Sequence, residues 1–131
     1  MVRNAYAMPR ALLVDDDPAV RRALARLLLR AEIDVAEADS AAAALGVLAE
    51  DPGIDAVVCD VVMPGVDGVR FYDALLQSTP RLRGRVVFLT GAAHERGVHG
   101  SIEERGVPLV SKLSDLQIVV DAVRLALLRT R

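Results

Sequence analysis

Short apolar runs, each closed by a polar residue, set the rhythm of this chain. Ala11-Leu12-Leu13-Val14 leads into Asp15-Asp16-Asp17, Ala56-Val57-Val58-Cys59 into Asp60, Val86-Val87-Phe88-Leu89 into Thr90, and Val107-Pro108-Leu109-Val110 into Ser111-Lys112. Runs of this length, rich in β-branched residues, suit strands buried on both faces, with the polar residue where each strand stops. Ile33 to Ala38 reads as a further strand whose Glu37 interrupts the apolar pattern. Between the strands the spacing turns helical. Asp17 and Pro18 form an N-cap followed by proline in the first helical position, and Val20, Leu24, Leu27 and Leu28 then share one face up to Arg30. Ser40 heads a helix through Leu45 and Leu48 that stops before Asp51-Pro52-Gly53. Met63-Pro64-Gly65-Val66-Asp67-Gly68 reads as a turn-rich loop, followed by a helix through Val69, Tyr72, Leu75 and Leu76. Ser114 and Gln117 make a capping-box pattern ahead of a last helix through Leu116, Val119, Val120, Val123 and Leu127.

The segment from His94 to Arg105 is the weakest. Alternation asks for a helix there, yet Gly97 and Gly100 each cost about 1 kcal/mol relative to alanine, and only Val98 and Ile102 offer apolar contacts. A short or mobile helix is expected.

Five strands alternating with five helices predict an α/β fold, a doubly wound parallel sheet with helices on both faces. Glu37 and Pro108 mark the second and fifth strands as edges, since proline cannot donate to a ladder. The flavodoxin-like order 2-1-3-4-5 follows, and it sets the first and third strands side by side at the point where the winding reverses. Asp15, Asp16 and Asp60 should meet there, because ligand sites of such sheets lie beyond the strands' carboxyl ends.

Composition narrows the classes. At 131 residues the chain fits one domain with a real core. A 53% hydrophobic content excludes disorder, a 26% charged content excludes a membrane protein, and 3% aromatics leaves the core to Val, Leu, Ile and Ala. A net charge of -2 offers no general attraction to nucleic acid, so no direct nucleic-acid binding is expected. The single cysteine, Cys59, allows no internal disulfide and fits a reducing compartment. The start lacks the apolar stretch of a signal peptide, and no run approaches the roughly 20 apolar residues that span a bilayer. The expectation is a cytoplasmic protein without membrane contact.

The candidate chemistry comes from the strand ends. Neighbouring carboxylates repel, and a protein gathers them mainly to hold a hard cation. Magnesium prefers oxygen ligands and a few carboxylates, which Asp15 or Asp16 together with Asp60 would supply. An aspartate can also act as nucleophile and form an aspartyl-phosphate, with Lys112 and Thr90 contacting the transferred group.

With these residues in view, the chain resembles the receiver domain of two-component response regulators and hybrid histidine kinases over residues 10–128. The resemblance rests on Leu13-Val14-Asp15-Asp16-Asp17-Pro18, Cys59-Asp60-Val61-Val62-Met63-Pro64-Gly65-Val66-Asp67-Gly68, Leu89-Thr90-Gly91 and Lys112. It implies that Asp60 accepts a phosphoryl group from the phosphohistidine of a histidine kinase or histidine phosphotransfer domain. It further implies that Asp15, Asp16, Asp60 and the backbone carbonyl of Val62 hold Mg2+, that Lys112 pairs with Asp60 and then with phosphoryl oxygens, and that Thr90 reports the phosphoryl group to the surface. Asp17 is left as a helix cap. Residues 1–9 would be an N-terminal extension, and residues 10–128 leave no output domain. Apolar positions near Leu109, Leu113 and the last helix allow a partner or homodimer surface.

Two positions depart from the family pattern. Leu113 follows Lys112 where a proline, often cis, is usual; a cis bond before leucine costs about 2.5–4 kcal/mol, so a trans bond is expected. Leu109 stands where an aromatic usually pairs with the threonine, so signalling is expected to rely on the Thr90 loop and the segment around Gly97 and Gly100. Val62 and Ala92, each two residues beyond a site residue, carry nothing to orient a hydrolytic water, which predicts slow self-dephosphorylation. Cys59 reads as a buried hydrophobe, and His94 and His99 as surface residues. Arg124, Arg129 and Arg131 read as favouring a helix C-terminus. Two other functions compete: a degenerate receiver that only binds partners, and a haloacid-dehalogenase-like phosphatase with Asp15 as nucleophile and Asp17 as acid.

Overall fold

The computed structural model describes residues 8–63, 66–91, 102, 104–112 and 115–129. Its strands are β1 (Arg10–Val14), β2 (Asp34–Ala38), β3 (Ala56–Asp60), β4 (Val62–Met63), β5 (Val66–Asp67), β6 (Val86–Thr90) and β7 (Leu109–Ser111). Its helices are α1 (Pro18–Arg30), α2 (Ala41–Glu50), α3 (Gly68–Ser78) and a last helix (Gln117–Leu127), with a 3-10 turn at Pro80–Leu82. Five strands form one parallel sheet in the order β2-β1-β3-β6-β7, the order expected from the edge signals. Glu37 lies on edge strand β2, and Pro108 immediately precedes edge strand β7, where only its carbonyl is used, accepting from the Phe88 N–H.

Strand alternation divides the core into two layers. Leu12, Val14, Val57, Cys59, Val86 and Phe88 face α2 and α3, packing with Ala44, Leu48, Phe71, Tyr72 and Leu75. Ala11, Leu13, Ala56, Val58, Val87 and Leu89 face α1 and the last helix, packing with Leu24, Leu28, Val119, Val120 and Val123. Every residue of β3 and β6 is buried. Few aromatics are needed for this, since the central strands consist almost wholly of small and branched apolar side chains.

Helix ends follow local chemistry. The Asp17 carboxylate accepts from the N–H groups of Ala19 and Val20, with Pro18 in the first turn, as the sequence predicts. Ser40 Oγ accepts from Ala43 N–H at the head of α2. At the end of α1, Glu32 takes a left-handed φ of 64°, its N–H bonding Leu29 O while Ile33 N–H bonds Leu28 O. Buried Ile33 completes this Schellman-type stop without glycine. The Ser114–Gln117 pattern falls at the head of the last helix. Asp115 Oδ1 accepts from Gln117 N–H, and Ser114 lies outside the described residues. Leu113, Ala92, His94, Gly97, His99 and Gly100 lie outside them too, so the expectations for the Lys112–Leu113 bond and the glycine-bearing segment concern residues not described. The segment read as a loop after Met63 holds a short antiparallel pair, β4 with β5, and α3 begins at Gly68 itself.

Candidate functional site at the strand ends

Register brings the polar ends together. Val14 pairs with Cys59, so the next residues, Asp15 and Asp60, emerge side by side. Thr90 pairs with Ser111, so Lys112 follows one step beyond on the far side. The two-residue period then decides which way each side chain leans. Counting from the core layers, Asp15, Asp60 and Lys112 share the parity of Leu13, Val58 and Val110, whereas Thr90 shares that of Phe88.

The contacts agree with that parity. Lys112 Nζ donates to Asp60 Oδ2 at 2.8 Å and lies 2.9 Å from Asp15 Oδ2. Thr90, 4% exposed, directs its hydroxyl to the Gly91 carbonyl at 3.5 Å rather than to Asp60. Asp15 and Asp60 are 2% and 5% exposed, while Asp16 is exposed at the rim. Carboxylate oxygens of Asp15, Asp16 and Asp60 lie within 4.8 Å of one another. The second oxygens of the two buried acids are held locally: Asp15 Oδ1 accepts from Asp17 N–H at 2.9 Å, and Asp60 Oδ1 from Val62 N–H at 3.1 Å. Asp15 Oδ2 is enclosed and has an ion pair with the ammonium but no well-directed hydrogen bond. A buried carboxylate oxygen left short of donors, beside two further carboxylates, fits a hard divalent cation.

Burial pushes the Asp60 carboxyl above its ordinary range; the Lys112 hydrogen bond and charge and the Val62 N–H oppose the rise, and the Asp15 charge adds to it. For Lys112, burial pulls the ammonium down, but contact with Asp15 and Asp60 and their charges outweigh it and leave the pKa raised. Cys59 is fully buried, its thiol pushed well up by burial and its Sγ donating to the Asp60 carbonyl. It is the small buried hydrophobe expected.

Two supporting features escaped the sequence reading. Gly68 donates its N–H to the Val61 carbonyl at 2.7 Å, and a Cβ there would stand 2.9 Å from Val61 Cα. Its bareness lets α3 close against the residue following Asp60. Arg21 donates from Nη1 to the Asp15 carbonyl at 2.7 Å and from Nε to Glu37 at 2.8 Å, an arrangement that no short motif announces. Elsewhere, Leu109 is half-buried against the core, while Ile118, Leu125 and Leu128 of the final segment are exposed. No helix among the described residues is long and apolar enough to cross a membrane.

Comparison with known proteins agrees with the geometry. The sequence matches the family described as "Response regulator receiver domain" over residues 11–124. It is 31% identical over 116 residues to the response regulator receiver protein CpdR of Brucella abortus, covering 88% of this chain and 94% of that protein. It is 33% identical over 104 residues to protein-glutamate methylesterase/protein-glutamine glutaminase 1 of Anaeromyxobacter dehalogenans, covering 79% of this chain but only 29% of that one. The crystal structure of the signal receiver domain of an HD domain-containing protein from Pseudomonas fluorescens superposes with a TM-score of 0.81 at 26% identity, over 96% of this chain and 91% of that one.

Proposed function

The chain belongs to the response regulator receiver domain family, a signalling domain rather than a classical enzyme, and on that premise we propose how its own residues work. Asp60 is the phosphoacceptor. One of its carboxylate oxygens attacks the phosphorus of a phosphohistidine on a histidine kinase or histidine phosphotransfer domain. The P–N bond breaks as the P–O bond forms, and the departing imidazole nitrogen keeps the electron pair and takes a proton. The observation that carries this reading is the shared ammonium: Lys112 Nζ stands 2.8 Å from Asp60 and 2.9 Å from Asp15 in a buried crevice.

Asp15, Asp16, Asp60 and the Val62 carbonyl are the groups that would hold Mg2+, which when bound offsets the charge on the transferred oxygens. Lys112 keeps Asp60 oriented before transfer and then neutralises the phosphoryl oxygens. Thr90, directed away from Asp60, must turn to reach the phosphoryl group, and that movement reports the modification. Val62, 62% exposed beside the site, carries no polar side-chain atom to place a water, so the phospho-form decays over minutes or longer rather than seconds at neutral pH. The receiver unit is taken as residues 10–128, working in the cytoplasm. That the Asp17 carboxylate accepts from the head of α1 supports its reading as a cap over the acid role that the phosphatase alternative gives it.

Incubation with a phosphorylated histidine kinase or phosphotransfer domain tests this. Label should move to the chain when Mg2+ is present and should fail to move to Asp60→Asn. Equal labelling of that variant, or none of the wild type across a kinase panel, would reject phosphoacceptance at Asp60.

A further inference from the structure

β1 ends its ladder at Val14, so Asp15 must be steadied by other means. Its N–H donates to the Ala38 carbonyl of β2 at 3.1 Å. Its carbonyl accepts from Arg21 Nη1 at 2.7 Å, and the Arg21 Nε donates to Glu37 Oε1 at 2.8 Å. Glu37 lies on the same edge strand, in register with Leu13. Both backbone polar groups of Asp15 are thereby fastened to β2, one directly and one through a guanidinium whose side chain is only 17% exposed. A planar fork is suited to this, because it grips two acceptors at once in a fixed relation.

We infer that Arg21 is a positioning residue for the acidic pocket: braced by Glu37, it fixes the Asp15 peptide so that the carboxylates of Asp15 and Asp16 face a divalent cation together with Asp60. This role rests on the reading of those acids as a magnesium site. Charge and position here make opposite demands. A cation near the pocket repels Mg2+, so an electrostatic effect alone would make its removal tighten binding. Positioning demands the reverse.

Calorimetric titration of the whole chain with Mg2+ separates the two, alongside melting in chelator. Arg21→Ala should raise the Mg2+ Kd about tenfold, the low end of what loss of a ligand-orienting partner costs. Arg21→Lys should recover part of the loss, keeping the charge but not the fork. Glu37→Gln should weaken binding by a smaller factor, since Arg21 remains but its anchor is blunted. A brace with a purely structural role would lower Tm in chelator and leave the Kd of the folded chain unmoved. Binding to Arg21→Ala as tight as wild type, or tighter, overturns the role while leaving the site intact. If Arg21→Ala does not fold, the Lys and Gln variants decide: both weaker than wild type supports the role, both equal overturns it. Asp15→Asn guards the premise, and wild-type binding indifferent to that change would reject the magnesium site and the role with it.

Discussion

Strands β3 and β6 are enclosed along their whole length, whereas β7 has three residues, each only partly buried. The acids and the cation that answers them are divided between these regions. Asp60 ends β3 and Asp15 follows β1, in the enclosed half, with N–H donors from Val62 and Asp17 fixing one oxygen of each. Lys112 follows β7, joined to the sheet by its N–H to the Thr90 carbonyl and to the site by its ammonium. Packing therefore holds the acids, while electrostatic pairing holds the lysine. On the proposed function, a phosphoryl group on Asp60 would alter that pairing directly, and the response would be felt first at the β6–β7 edge.

Stability measurements sharpen the contrast most. Phe88→Ala, in fully buried β6, should cost about 3–5 kcal/mol in denaturant unfolding. Leu109→Ala, on the half-buried edge strand, should cost about 1 kcal/mol. Equal losses would mean that the edge is held as firmly as the centre. Lys112→Ala should slow phosphorylation about 100-fold, in line with removal of one pre-placed donor to developing charge, with the fold retained by circular dichroism. Unchanged rates would show that the acids suffice. Gly68→Ala tests the close approach behind Asp60: the added methyl meets Val61 Cα at 2.9 Å, so a loss of about 1–3 kcal/mol is expected by thermal unfolding.

The smallest effect concerns pH. Because burial raises the Asp60 pKa, the folded chain binds that proton more tightly than the unfolded chain. Metal-free stability should then fall as pH rises from the ordinary carboxylate range through the raised value. Asp60→Asn, with no charge to bury, should melt above wild type at neutral pH in chelator, the advantage vanishing below the ordinary carboxylate range. Lys112 acts in another window. Its raised pKa contributes stability that is complete below the ordinary lysine range and lost only as pH climbs through the raised value, so the neutral comparison stays clean. A variant less stable than wild type at neutral pH would contradict the sign.

Much of this was legible in the sequence because burial wrote it plainly. Residues 11–14, 56–59 and 86–89 are continuous apolar runs, and Glu37 and Pro108 disclosed the edges that order the sheet. Strand order and the aspartate positions then imply the pocket. Features set by geometry rather than composition stayed hidden. The β4–β5 pair is two residues per strand, too short for a periodic signal, and Gly68 looks like a loop residue until Val61 is placed against it. The Arg21 bridge depends on a side-chain conformation joining a helix to a neighbouring strand. At the head of the last helix Asp115 accepts from the Gln117 N–H, a contact that the Ser114–Gln117 spacing did not announce.

The most direct test is to find where the phosphoryl group resides. Wild-type chain treated with acetyl phosphate and Mg2+, then reduced with borohydride and digested, should yield homoserine at position 60 by mass spectrometry. Reduction product at Asp15, or phosphate retained on another side chain with Asp60 untouched, would contradict the account.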